Sequence, residues 1–271
     1  MATQKRVLVW STPRSLSTVL MRALSQLPDS LVIHEYLLLV GKNEEPDILG
    51  DQKAKMQNWD SEPSFNILKW KEMYEEPYHD KSFVFGKEIA SSLGRKVEMI
   101  PDGYTHVFLM HNPFKSIPSN EKSLSFFPRD LRFSVMLKPN QFEALAHIYD
   151  YVTTTLGQSK PVVLDASDLL ANPAKTLQLF CKATGLPFSQ KLLRWEQVKE
   201  RPPSNLLLPT FMWDNGKAFG VFKTAFESTC FHKETTGVAK ETDPISPEIE
   251  QLIQDALPYY EKLYKYRLET V

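Results

Sequence analysis

The 271-residue chain is 42% hydrophobic and 24% charged, an ordinary composition for a globular protein with a large core. Its 32 Lys+Arg against 33 Asp+Glu leave a formal net charge of -1, so no global basic field gathers nucleic acid or an anionic membrane, and any anion binding has to be local. No apolar run approaches the roughly 20 residues of a membrane helix, and two cysteines, Cys181 and Cys230, supply neither a disulfide framework nor a metal set.

"RVLVW" predicts a first strand, followed by the turn "STPRSLST" and a helix with Leu16, Val19, Leu20, Ala23, Leu24 and Leu27 on one stripe. Ser11 and Thr12 are capping types just before that helix, and "LPDS" ends it. "DSLVIHEYLLLV", "SFVFGK", "THVFLMHN" and "PVVLDASD" are further apolar runs bounded by turn residues. "NPAKTLQLFCKATGLPF" predicts a helix with Leu177, Phe180, Cys181 and Thr184 on one side and Gly185 and Pro187 as stop signals. "SPEIEQLIQDALPYYEKLYKYRL" predicts a closing helix kinked or broken at Pro258. The stretches 41–78 and 202–242 are the least regular and read as lids or insertions within a single domain spanning 1–271. Apolar strands alternating with helices predict an α/β protein, three layers α/β/α around a central parallel sheet. The opening "MATQKRVLVW" has an apolar stretch too short for a secretory signal. The expectation is a cytoplasmic protein with no membrane and no nucleic-acid partner.

A strand-to-helix turn presents unpaired N–H groups at the positive end of a helix dipole, a setting for phosphate or sulfate. In "TPRSLST", Arg14 adds a cation, and Ser15, Ser17 and Thr18 add hydroxyls around Leu16. The nucleotide-binding pattern G-x-x-x-x-G-K-[ST] is absent.

"STPRSLSTVLMRAL" resembles the 5′-phosphosulfate loop of the sulfotransferase family, whose sulfuryl donor is 3′-phosphoadenosine-5′-phosphosulfate (PAPS). Family members carry Pro-Lys-Ser-Gly-Thr-Thr or, in a bacterial-type branch, Pro-Arg-Ser-Gly-Ser-Thr; the version with Leu16 is similar to sulfotransferase-like proteins named after aminotransferases. "VFLMHNPFKSIPSN" resembles the second donor segment, with His111 at the family's arginine and Ser119 at its serine. "VVLDASDLLANPAKTLQLFCKATGLPF" and "ESTCF" are similar to later segments, so the resemblance runs from about Arg6 to Phe231. It implies a P-loop-containing, nucleotide-hydrolase-like sulfotransferase fold, with PAPS as donor co-substrate and no metal. It also implies that Arg14, Ser15, Leu16, Ser17 and Thr18 hold the phosphosulfate and that His111 and Ser119 hold the 3′-phosphate. Three positions depart from the family: Leu16 for Gly, His111 for Arg and Cys230 for Gly.

Sulfuryl transfer needs a base at the acceptor and cations or N–H donors around the donor. Glu35, an acidic residue just beyond the second strand, is the first candidate base, as the bacterial-type branch implies; His34 is the competing one, because imidazole titrates nearest neutrality. Arg14 is expected where charge develops on transfer. Lys87 either faces the same cleft or stands exposed at a helix start, and Asp165 and Asp168 are more simply helix caps. Trp195, Trp213, Phe211, Phe219 and Phe222 are either core or acceptor-pocket lining. The expected activity is transfer from PAPS to a hydroxyl or amine of a small-molecule acceptor. The alternatives are an ATP-dependent small-molecule kinase and a non-catalytic nucleotide-binding member of the fold.

Overall fold

The computed structural model describes residues 4–137, 140–231 and 245–269. The part of the predicted second lid at 232–242 lies outside them. Six strands, β1 (Lys5–Ser11), β2 (Ser30–His34), β3 (Phe83–Ile89), β4 (Thr105–Met110), β5 (Val162–Asp165) and β6 (Leu206–Leu207), form one sheet in the order β5-β4-β1-β3-β2-β6. Every pairing is parallel. The helices are α1 (Ser17–Leu24), α2 (Tyr36–Glu44), α3 (Ile67–Glu75), α4 (Pro113–Ser123), α5 (Arg129–Leu131), α6 (Gln141–Thr154), α7 (Ala166–Ala171), α8 (Pro173–Thr184), α9 (Thr210–Ala218), α10 (Lys223–Glu227) and α11 (Pro247–Tyr264).

All residues of β2 and β5 are buried, as a parallel sheet covered on both faces requires. Leu8, Trp10, Ile33, Val84 and Phe108 pack with residues of α3, α6 and α11 on one face. Val7, Val9, Val32, Phe85 and Val107 pack with α1, α7 and α8 on the other. This is the expected three-layer architecture. From β1 the chain runs out to β2, returns to β3 beside β1, then crosses to β4 on the other side. In open α/β sheets ligands bind outside the carboxyl ends of the strands where the strand order reverses in this way.

Several sequence expectations change. The run "DSLVIHEYLLLV" is not one extended segment: β2 stops at His34 and α2 begins at Tyr36, since a short apolar run does not by itself separate strand from helix. The closing helix α11 continues through Pro258. The stretches taken as irregular carry α3, α9 and α10. Leu49 and Trp59 from the first share a third apolar cluster with Phe211, Phe222 and Phe226 from the second. The two are also tied by Gln57 N–H to Asn215 Oδ1 (2.9 Å) and by Asn215 Nδ2 to the Gln57 carbonyl (2.8 Å). α8 starts and stops as read, with the Asn172 side chain capping it and Gly185 in the left-handed region at φ 68°. No helix among the described residues is long and apolar enough to cross a membrane.

Gly86 has a packing reason. A Cβ there would lie 2.3 Å from Tyr74 Cε1 and 2.7 Å from Leu8 Cδ1. Tyr74 has little room to move, because its hydroxyl is bonded to Glu88 and its ring packs against Trp70 and Tyr104. Gly86→Ala is expected to cost about 1–3 kcal/mol through overpacking. A thermal melt checks this: a drop of several degrees is expected, and an unchanged midpoint contradicts it.

Candidate active site

The first turn is built on strained backbone. Arg14 and Leu16 both lie in the left-handed region, at φ 59° and 66°, with Ser15 between them. For non-glycine residues this costs roughly 1–2 kcal/mol each. Leu16 therefore keeps a path that glycine would take without strain, and its half-buried side chain packs against the α1 and α8 layer. The cap differs from expectation. Leu16 itself is the N-cap of α1 and makes no side-chain cap bond, while Ser11 lies in β1 and donates to the Glu88 carbonyl (3.2 Å). Thr12 accepts from Ser15 Oγ through its carbonyl (2.7 Å), and its own buried hydroxyl has no hydrogen-bond partner. With the α1 side chain cap missing, first-turn N–H groups have no intrahelical acceptor. Left-handed residues alternating along a turn gather such groups into an anion-binding concavity.

The second predicted segment meets this turn. β4 ends at Met110, and Asn112 caps α4 by accepting from Phe114 N–H (2.9 Å), with Pro113 in the first turn. His111 Nδ1 stands 3.2 Å from the Arg14 carbonyl, and Arg14 Nε donates to Ser119 Oγ (3.1 Å). Arg14, His111 and Ser119, far apart in sequence, thus converge because β1 and β4 are neighbours.

The third group sits at the ends of β2 and β3. Glu35 is the N-cap of α2 at φ 59° and makes no side-chain cap bond. Its N–H donates to the Lys87 carbonyl (2.8 Å), and its carboxylate forms an ion pair with Lys87 Nζ. His34 Nε2 lies 3.7 Å from Glu35 Oε1, and neither ring nitrogen has a hydrogen-bond partner. His34 and Lys87 are each 1% exposed and Glu35 6%. The register sets His34 beside Lys87 and Lys87 beside Val9, so both side chains share the face covered by α1. Burial, then the neighbouring Lys87 ammonium, hold His34 well below the usual histidine range, which leaves a neutral ring of weak basicity. Burial also pulls the Lys87 ammonium down to about 7, with Glu88 acting the other way. Lys87 is therefore a buried residue of β3 rather than an exposed helix-start lysine.

Sequence reasoning missed Glu88, which is 0% exposed on the opposite face of β3. It accepts from Tyr74 OH (2.7 Å), Trp70 Nε1 (2.9 Å) and Leu37 N–H (3.1 Å). Burial pushes its pKa up to about 7 against the pull of these donors. A signal was available: Lys and Glu in succession on a strand buried on both faces each need a partner. Asp165 caps α7 through Ser167 N–H (2.7 Å) and also accepts from Tyr260 OH (3.0 Å). Asp168 instead pairs with Arg267 Nε (3.2 Å). Trp195, Phe211 and Phe222 are buried. Phe219 stacks on Phe126 and Trp213 meets Phe226 edge-on, so these aromatics are packing elements, with Phe222 also edge-on to His34 at 5.9 Å.

No family model matches the chain. It is 27% identical over 194 residues to branched-chain-amino-acid aminotransferase-like protein 2 of Arabidopsis thaliana, covering 69% of this chain and 31% of that protein. It is 30% identical over 120 residues to sulfotransferase ppzF of Metarhizium majus, covering 41% of this chain and 33% of that protein. The chain therefore spans about a third of the length of these curated relatives. Among solved structures it is similar to the sulfotransferase domain of the Synechococcus PCC 7002 olefin synthase, with TM-score 0.50, 16% identity and coverage of 99% and 98% of the two chains. It is also similar to the sulfotransferase domain of the curacin biosynthetic pathway, with TM-score 0.47, 14% identity and coverage of 94% and 98%. The likeness to the olefin synthase domain identifies the fold: a six-stranded parallel sheet flanked by helices, as in sulfotransferase domains.

Proposed function

We propose that this chain, built on the sulfotransferase fold, transfers a sulfuryl group from PAPS to a hydroxyl or amine of a small-molecule acceptor. The observation that carries the reading is the placement of two groups at the carboxyl ends of three neighbouring strands. An oxyanion cradle with a cation follows β1, and a buried carboxylate–ammonium pair stands at the ends of β2 and β3.

The residues present fit such a donor. The N–H groups from Ser15 to Thr18, the unpartnered Thr12 hydroxyl and the Arg14 guanidinium suit a group with several anionic oxygens. His111 and Ser119, beside Arg14, suit a second anionic group at the other end of a nucleotide. When bound, PAPS supplies an activated sulfuryl group. Glu35 takes the acceptor's proton on its carboxylate, and Lys87 holds that carboxylate in place. Arg14 and the α1 N–H groups stabilise negative charge as it grows on the oxygens they face. His34 stays neutral next to Glu35 and does not compete for the proton.

Thermal shift and transfer of labelled sulfate together test this. 3′,5′-Phosphoadenosine without metal is expected to stabilise the protein, by about 2.7 kcal/mol at 100 times Kd, and Arg14→Ala is expected to remove most of that gain. Stabilisation only by ATP with magnesium would make the protein a kinase. Binding of 3′,5′-phosphoadenosine without sulfate transfer to any of a panel of hydroxyl and amine acceptors would make it a non-catalytic binder.

A further inference from the structure

We infer that Glu88 is a positioning residue for the base, supplying from the sheet the helix cap that Glu35 does not make. The inference rests on the reading of Glu35 as the base.

An N-cap side chain ordinarily turns back to accept from the first-turn N–H groups of its own helix. Glu35 occupies that position on α2 but turns its carboxylate to Lys87 instead. One first-turn donor of α2 finds its acceptor elsewhere, because Leu37 N–H donates to Glu88 Oε2. The other oxygen of Glu88 accepts from Trp70 and Tyr74, both on α3. Its three donors, an amide, an indole and a phenol, are all uncharged. A fully buried carboxylate held this way is costly to keep.

Successive strand residues point to opposite faces. Lys87 and Glu88 therefore grip the same short segment from two sides. Lys87 holds the side chain of Glu35 and accepts its N–H, and Glu88 holds the backbone two residues on. A left-handed glutamate persists only where its surroundings over-determine it. These two neighbours, together with α3 behind them, provide that constraint and aim the carboxylate under the α1 end of the sheet.

The test is a double-mutant cycle on sulfate transfer with Glu88→Gln and Glu35→Gln, alongside the crystal structure of Glu88→Gln. Gln keeps the shape of Glu88 but cannot accept from the amide and both α3 donors at once. The expected result is a kcat loss of roughly tenfold, as for a displaced catalytic group, with 3′,5′-phosphoadenosine affinity unchanged. In the Glu35→Gln background the same substitution is expected to cost nothing further. In the crystal, residue 35 leaves the left-handed region or its carboxylate leaves Lys87. Equal losses in both backgrounds, or kcat and nucleotide affinity falling together, would reduce Glu88 to a stability residue, and an unmoved Glu35 in the variant crystal overturns the inference. If Glu35→Gln alone leaves kcat intact, the base assignment fails instead, and the crystal structure still decides whether Glu88 positions residue 35.

Discussion

Glu35→Gln lowers kcat for sulfate transfer by about 10²–10⁴-fold, the range a positioned general base contributes, and leaves binding of 3′,5′-phosphoadenosine unchanged. The split follows from where the residue stands. Glu35 belongs to the β2–α2 junction, on the far side of β3 from the cradle after β1, so removing its charge takes nothing from the groups facing the nucleotide. Gln keeps the size of the side chain and its acceptor oxygen toward Lys87 but cannot take a proton. His34→Gln is expected to cost far less, because a buried ring already held neutral has little basicity to lose. Steady-state kinetics with labelled donor checks both. The base assignment moves to His34 if that variant loses activity and Glu35→Gln does not.

Below pH 7, where Lys87 carries its proton, Lys87→Met is expected to destabilise the fold by about 3–5 kcal/mol, the cost of leaving one member of a buried ion pair uncompensated. Lys87 and Glu35 are both buried and paired, so the single variant strands a carboxylate beside the His34 ring. Adding Glu35→Gln removes that charge and is expected to restore most of the loss, since replacing a whole buried pair is often nearly neutral. The pH dependence gives a second signature. Burial lowers Lys87 from 10.5 to about 7 in the folded state, so between these values the unfolded chain binds more protons than the folded one. Stability from this group therefore rises from pH 7 toward 10.5 and is lost as pH falls through 7. Lys87→Met flattens that rise. Denaturant unfolding of the wild type and the three variants across pH 6 to 10 measures both effects, and a single variant as stable as the wild type contradicts the pairing.

What the sequence made legible was local. The first strand, the turn carrying Arg14 and the stop at Gly185 each rest on residues within a few positions of one another, where propensity and capping rules act directly. The site depended on pairings no local pattern contains. Glu35 and Lys87 meet only because β3 inserts between β1 and β2, and Arg14 meets Ser119 only because β4 lies on the other side of β1. Leu16 shows the limit of residue-by-residue reading: a leucine stands in the left-handed region, at φ 66°, where a glycine would be unstrained. The start of α2 was hidden for a related reason, since its cap comes from Glu88, 51 positions away from Leu37. β6, two residues long, was hidden because it carries almost no pattern of its own.

A crystal structure with 3′,5′-phosphoadenosine bound tests the central claim most directly. The account predicts the 5′-phosphate within hydrogen-bonding distance of the N–H groups from Ser15 to Thr18 and of Arg14, and the 3′-phosphate beside His111 and Ser119. A nucleotide seated elsewhere on the protein, with the turn after β1 empty and Arg14 still bonded to Ser119, would contradict it.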